Sequence, residues 1–173
     1  MSALDHFVPL NIAVLTVSDT RTRENDSSGD YLDGALRAAG HHVAAREIMR
    51  DSIYAMRAVV SRWIADDCVD GVLITGGTGF TGRDSTPEAI RPLLDKEMPG
   101  FGELFRQISL QEIGTASLQS RAFAGLANGT FVFALPGSTS ACRTAWEKIL
   151  QSQLDARTQP CNLVGLKPRL HER

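Results

Sequence analysis

The stretch Thr75-Gly76-Gly77-Thr78-Gly79-Phe80-Thr81-Gly82-Arg83-Asp84-Ser85-Thr86-Pro87-Glu88 constrains the fold more than any other part of the chain. It follows Val72-Leu73-Ile74, an apolar run that reads as a buried strand. It leads into Thr86-Pro87-Glu88-Ala89-Ile90, which reads as a helix start with Thr86 as N-cap and Pro87 at the first helical position. Four glycines in seven residues lie between the two. Glycine loses more conformational entropy on folding than other residues, so this density implies tight turns or close approach of backbone to a ligand. Exposed amides in such a turn make an anion cradle. A loose surface loop is the alternative. The two threonine hydroxyls, the arginine and the carboxylate attached to the turn argue against it.

Two phosphate-binding motifs nearly fit. Gly77-x-Gly79-x-x-Gly82 satisfies the dinucleotide fingerprint, which requires a second strand ending in an acidic residue about 20 residues on. Met98-Pro99-Gly100-Phe101-Gly102 stands there and is no strand. Gly77-x4-Gly82 also begins like a P-loop, but Arg83-Asp84 replaces the required Lys-Ser/Thr. A carboxylate beside bound phosphates repels them unless a cation lies between. Asp84 therefore points to a Mg²⁺-bridged nucleotide rather than a simple phosphate cradle.

The chain of 173 residues suits one domain with a sizeable core, with residues 1–10 and 159–173 as irregular tails. A net charge of −2 and the lack of a Lys/Arg cluster give no electrostatic case for nucleic acid. Cys68, Cys142 and Cys161 form no Cys-x-x-Cys pair and fall at no metal spacing with the four histidines, which fits thiols in a reducing compartment. No signal peptide and no apolar run of membrane-spanning length is present, so the expected location is cytoplasmic, with no membrane partner.

Strand and helix patterns alternate along the chain. Ile12 to Val17 is a buried strand, and Ser27 or Ser28 can cap a helix from Asp30 to Ala39 that Gly40 stops. His42 to Met49 is the second strand. Asp51 or Ser52 caps a helix whose Ile53, Met56, Val60, Trp63 and Ile64 recur at helical spacing. After the third strand, Gly71 to Ile74, come helices at Pro87–Leu94, Phe101–Ile113 and Leu118–Arg121. Ala122–Ala127 and Thr130–Leu135 form a hairpin around Asn128-Gly129, the pair that supplies the positive φ angles of a type I′ turn. Ser138 or Thr139 caps the last helix, with Ala145, Trp146 and Ile149 on its inner face. The class is α/β, a mostly parallel sheet covered on both faces, with an antiparallel hairpin strand near the C-terminal end. Ligands of such sheets bind beyond the carboxyl ends of the strands. Ser18-Asp19, Gly76 to Asp84 and Pro136-Gly137-Ser138 converge there, with Asp51 as a fourth contributor. Backbone amides together with several carboxylates are the composition expected for nucleotide–Mg²⁺ chemistry.

With these segments placed, Thr75–Gly79, Arg83-Asp84 and Thr86–Ala89 together resemble the signature of the molybdenum cofactor biosynthesis proteins that bind molybdopterin. Leu135-Pro136-Gly137-Ser138 resembles that family's second signature. Val17-Ser18-Asp19 with Asp26-Ser27-Ser28-Gly29 resembles its opening one, so the likeness runs in order from residue 11 to residue 150. The resemblance implies a three-layer αβα fold, assembled as homotrimers or homohexamers. It also implies transfer of AMP from ATP to the terminal phosphate of molybdopterin, with release of pyrophosphate. Carried onto this chain, Gly76, Gly77, Thr78, Gly79, Pro136, Gly137 and Ser138 hold the nucleotide, and Asp84 is the Mg²⁺-linked catalytic carboxylate. Asp51 falls at the family's other functional carboxylate, and Ser18, Asp19, Asp26 and Ser28 border the pterin. The transferring branch has Pro-Asp-Glu at the second carboxylate, where this chain has Arg50-Asp51-Ser52. Two functions therefore stand at this point, a molybdopterin adenylyltransferase and a molybdopterin carrier or scaffold of the same fold. Structural roles also stand beside the functional ones: Asp51 as an N-cap, Asp19 and Asp26 as turn formers, Asp84 as a charge favouring a helix dipole, and Ser138 as a cap.

Overall fold

Three central strands set the architecture: β1 (Asn11–Val17), β3 (Gly71–Thr75) and β6 (Thr130–Leu135). Side chains alternate across a strand, and here both faces are apolar. Ile12 and Val14 of β1, Leu73 of β3, and Phe131, Phe133 and Leu135 of β6 enter one core. Ala13, Leu15, Val17, Val72, Ile74, Val132 and Ala134 enter the other. A sheet apolar on both faces needs a helical layer on each side. The structure, a computed structural model, describes residues 4–170, and among these it supplies both layers. Helices α1 (Ser27–Ala38), α4 (Pro99–Ile113) and α5 (Thr139–Ala145) cover the first face. Helices α2 (Ile53–Ile64) and α3 (Thr86–Ile90) cover the second. The result is a three-layer αβα fold. Each fully buried Leu, Ile, Val or Phe in it contributes about 1.5–3 kcal/mol relative to exposure.

The sheet adds β2 (His42–Met49), β4 (Lys96–Glu97) and β5 (Phe123–Ala127), in the order β2-β1-β3-β6-β5-β4. β2, β1, β3 and β6 run parallel, and β5 pairs antiparallel with β6 through the expected hairpin. Asn128 (φ 48°) and Gly129 (φ 81°) supply its turn. From β1 the chain crosses over α1 to β2, then over α2 to β3 on β1's other flank, so the connections reverse between β1 and β3. That reversal opens a crevice at the carboxyl ends of these two strands.

Several boundaries differ from the sequence reading. α1 begins three residues earlier, and its cap is Asp26, whose carboxylate accepts from the Gly29 amide. Ser85, not Thr86, takes the N-cap position of α3, because the Thr86 hydroxyl is drawn into the core to donate to Gly76 O. The helix expected at Leu118–Arg121 is a 3₁₀ segment over Gly114–Gln119. The last helix runs from α5 through a π-helical turn, Trp146–Leu150, into Gln151–Gln153. Val164–Arg169, expected to be irregular, forms a 3₁₀ segment with Val164 buried and Lys167 paired with Asp70. Residues 1–3 and 171–173 of the expected tails lie outside the described residues.

Candidate functional site

A cleft of about 570 Å³ occupies the crevice. Its floor is the carboxyl ends of β1, β3 and β6, and its walls are five segments: the turn after β1, the Gly-rich loop after β3, the loop after β6 with the start of α5, one face of α4, and the 3₁₀ segment that follows α4.

The Gly-rich loop is held from inside by its own threonines. The Thr75 hydroxyl donates to Pro136 O, the Thr86 hydroxyl to Gly76 O, and the Thr86 amide to Gly77 O. The Gly76 amide donates to Leu135 O, the last residue of β6. Gly76 (φ 105°) and Gly77 (φ 65°) lie in the left-handed region, and a Cβ on Gly76 would stand 2.1 Å from Val17 O. Only glycine fits there, which brings the loop's backbone against the end of β1. From outside, Arg121 accounts for the rest. Its amide donates to Thr78 O, Nε to Gly79 O and Nη2 to Asp84 O, while Nη1 pairs with Glu88. Among the described residues the Gly77 and Thr78 amides donate to no backbone carbonyl, and loop amides of that kind are suited to an anion.

Asp84 lines the cleft at the far end of this loop. Its Oδ2 accepts from the Thr81 amide at 2.9 Å and the Thr81 hydroxyl at 2.6 Å, so its carboxylate turns back into the loop and away from the α3 terminus. Burial by itself raises its pKa, but the hydroxyl and amide of Thr81, the Gly79 amide and Arg121 together outweigh it and hold the carboxyl below its ordinary value. At neutral pH Asp84 is a fixed anion and a weak base, which suits holding a cation and not general-base work.

The other expected residues divide into those on the cleft and those behind it. Ser18, Gly76, Gly77, Thr78, Gly79, Pro136, Gly137 and Ser138 line it with Asp84. Ser138 caps α5 by accepting from the Ala141 amide at 3.2 Å and is also exposed to the cleft. Asp51 is not a lining residue. Its carboxylate makes no cap on α2; it accepts from the Ser85 amide and hydroxyl, bracing the Gly-rich loop from behind. Asp19 forms a fork-to-fork pair with Arg83, at 2.6 and 2.9 Å, which ties the turn after β1 to the Gly-rich loop. That pair, first through its hydrogen bonds, keeps the Asp19 carboxyl below its ordinary value. Asp26 is 0% exposed, below the surface of the cleft, bonded to the Thr16 hydroxyl, the Gly29 amide and the Arg46 guanidinium. Ser28, also buried, donates to Gly137 O at 2.8 Å and so fixes the loop after β6.

Three charged side chains reach the cleft among the described residues: Arg21, Asp84 and Glu112. The α4 wall, with Phe105, Ser109, Glu112 and Ile113, was not anticipated. Its signal was present in the sequence, since Phe105, Ser109 and Glu112 follow helical spacing and put polar groups on the face that Phe101 and Phe105 bury. No group of three or more His, Cys, Asp or Glu side chains is placed to hold a metal among the described residues. One carboxylate suits a magnesium ion that comes with nucleotide phosphates, because Mg²⁺ keeps several waters and takes one or two carboxylates beside the phosphates. It does not suit a resident ion. Among the described residues no helix is long and apolar enough to cross a membrane.

Comparison with known proteins places the fold in a family. Residues 13–156 match the family described as "Probable molybdopterin binding domain". Molybdenum cofactor biosynthesis protein B of Escherichia coli K12 is 60% identical over 156 residues, covering 90% of this chain and 92% of that protein. A crystal structure of a molybdenum cofactor biosynthesis protein B superposes with a TM-score of 0.85 at 40% identity, covering 96% of this chain and 98% of the other. A tungsten cofactor synthesizing protein from Pyrococcus furiosus superposes with a TM-score of 0.75 at 38% identity, covering 83% of this chain and 92% of its own.

Proposed function

Since this chain belongs to the molybdopterin-binding family of molybdenum cofactor biosynthesis proteins, we propose that it binds molybdopterin in the cleft and adenylylates it with Mg-ATP, releasing pyrophosphate. The observation that carries the transfer step is the meeting, within one cleft, of the Gly76–Gly79 backbone with the anionic Asp84.

In the reaction an oxygen of the pterin's terminal phosphate attacks the α-phosphorus of ATP, and the bond from that phosphorus to the β-bridging oxygen breaks. Pyrophosphate leaves with the bonding pair. A phosphate monoester is already largely ionised at neutral pH, its second pKa being about 6, so the attacking oxygen needs no base. The chain's work is then positioning and charge stabilisation. The Gly-rich loop amides and the start of α5 hold phosphate oxygens, Ser138 adds a hydroxyl, and Glu112 with Ser109 closes the opposite wall. Asp84 is the residue that would hold a magnesium ion arriving with the nucleotide, and that ion would supply neutralisation of phosphate charge. Asp51, Asp26 and Ser28 act as positioning residues, through Ser85, α1 and Gly137 respectively.

A carrier that binds the pterin and transfers nothing is the second reading. The placement of Asp51 behind the loop, with Arg50 and Ser52 as its neighbours, is the observation that favours it. The two readings differ in whether AMP is transferred, a step for which a nucleotide must first bind. Calorimetric titration of the pterin-loaded protein with α,β-methylene-ATP, which cannot release pyrophosphate, should show magnesium-dependent binding. Pterin binding without any nucleotide binding would leave the carrier.

A further inference from the structure

One side chain of the cleft is not used by the account above. Arg21, in the turn after β1, is the single cationic side chain among the described residues that line the cleft. Its guanidinium is fixed: Nη1 donates to Asn25 O and to the Ser27 hydroxyl, both at 2.7 Å. Its backbone is fixed too, because the Arg21 amide donates to the Ser18 hydroxyl and Thr22 and Asn25 close the turn on each other. Yet no carboxylate lies within ion-pair distance of it among the described residues, and Nε and Nη2 have no partner there. The other arginines at the Gly-rich loop are taken, Arg121 by Gly79, Asp84 and Glu88 and Arg83 by Asp19.

The position of this charge completes the polarity of the cleft. Ser27 is bonded in turn to the Thr139 hydroxyl, so Arg21 stands on the wall where α1 and α5 begin. Asp84 stands on another segment, the Gly-rich loop, with Gly79 and Arg121. A metal-linked polyphosphate drawn to Asp84 has its charge met there, and a further anionic group in the same cleft finds its cation in Arg21. A guanidinium with two adjacent free donors matches two oxygens of one phosphate, the bidentate geometry for which arginine is selected over lysine.

We propose that Arg21 is the phosphate anchor of this cleft, holding a phosphate monoester or the terminal phosphates of a nucleotide through Nε and Nη2. The identity of the ligand rests on the proposed function; the anion chemistry does not.

The test is calorimetric titration of the wild type and Arg21→Gln with four probes: molybdopterin, the same pterin lacking its terminal phosphate, metal-free ATP, and inorganic pyrophosphate. Hydrogen bonds to charged groups imply a loss of roughly tenfold or more in affinity for the ligand whose phosphate Arg21 holds. A loss confined to molybdopterin, with the dephosphorylated pterin binding both proteins alike, supports the anchor with the pterin as its source. A loss confined to ATP supports it with the nucleotide as source. If the wild type binds neither but takes pyrophosphate in an Arg21-dependent way, the proposed function falls and the anchor stands. Equal affinities for all probes, or an equal loss for the phosphorylated and dephosphorylated pterin, overturn the anchor. Arg21→Lys, which keeps the charge without the fork, guards against a misfolded turn: it should recover part of the lost affinity, and no recovery at an unchanged melting temperature also counts against the anchor.

Discussion

Asp84→Asn is expected to lower adenylyl transfer by about 10²–10³-fold while leaving molybdopterin binding in place. Removing one preorganised electrostatic contributor at a charged transition state typically costs that much, about 2.7–4 kcal/mol of barrier. The asparagine keeps the side chain's size, and its carbonyl oxygen can still accept from the Thr81 amide and hydroxyl, so the loop should hold its shape. What goes is the negative charge that the surrounding donors keep ionised. Stability should move by less than about 1 kcal/mol, since the carboxylate makes no contact with the α3 terminus beyond a dipole effect. Turnover of both proteins at saturating Mg²⁺, beside pterin affinity and melting temperature, separates the possibilities. Equal turnover would remove the metal-holding role, and a collapsed melting temperature would make Asp84 a structural residue.

Asp26→Ala should destabilise the fold by about 3–5 kcal/mol, the usual consequence of removing one partner from a buried ion pair. Asp26 is fully buried, and the Arg46 side chain left behind is only 9% exposed. Arg46 has Asp30 at 2.7 Å and Asp33 at 3.7 Å as remaining partners, which places the loss toward the lower end. Three donors lose their acceptor at once: Thr16 at the end of β1, Gly29 in the first turn of α1, and Arg46 on β2. The effect depends on pH in a defined direction. Burial raises the Asp26 pKa, and the Gly29 amide, Arg46 and Thr16 more than reverse that, so the folded-state value lies below the reference of 3.8. The carboxylate's contribution is therefore complete above the reference value and fades as pH falls through the lowered one. Denaturant melts of wild type and variant should differ most near neutrality, with the gap narrowing as pH falls below 3.8. A constant difference across that range would mean that shape, not charge, is what the site requires.

The two predictions also show where sequence suffices. The strand alternation, the Asn128-Gly129 hairpin and the Gly-rich turn were legible because each depends on residues adjacent in the chain. Asp26 was not legible as a buried brace. Asp26, Ser27 and Ser28 all have capping side chains, and the choice among them is made by Thr16 and Arg46, ten and twenty residues away. Asp51 shows the same limit. Local rules make it a good cap for α2, but Ser85, 34 residues on, competes for its carboxylate and wins. β4 has only Lys96 and Glu97, and it exists because the hairpin edge at Gly125 and Leu126 offers it a ladder. The α4 wall of the cleft was legible only as a helix face on which Phe105, Ser109 and Glu112 follow one another at helical spacing. Its polar residues become informative only once the sheet has placed that helix over the carboxyl ends of β3 and β6.

Pyrophosphate release from ATP, followed with and without molybdopterin, decides whether this chain transfers AMP. Release is expected only when the protein, molybdopterin and Mg²⁺ are all present, with one pyrophosphate formed for each molybdopterin consumed. Molybdopterin bound by the protein under those conditions, with no pyrophosphate formed, would contradict it.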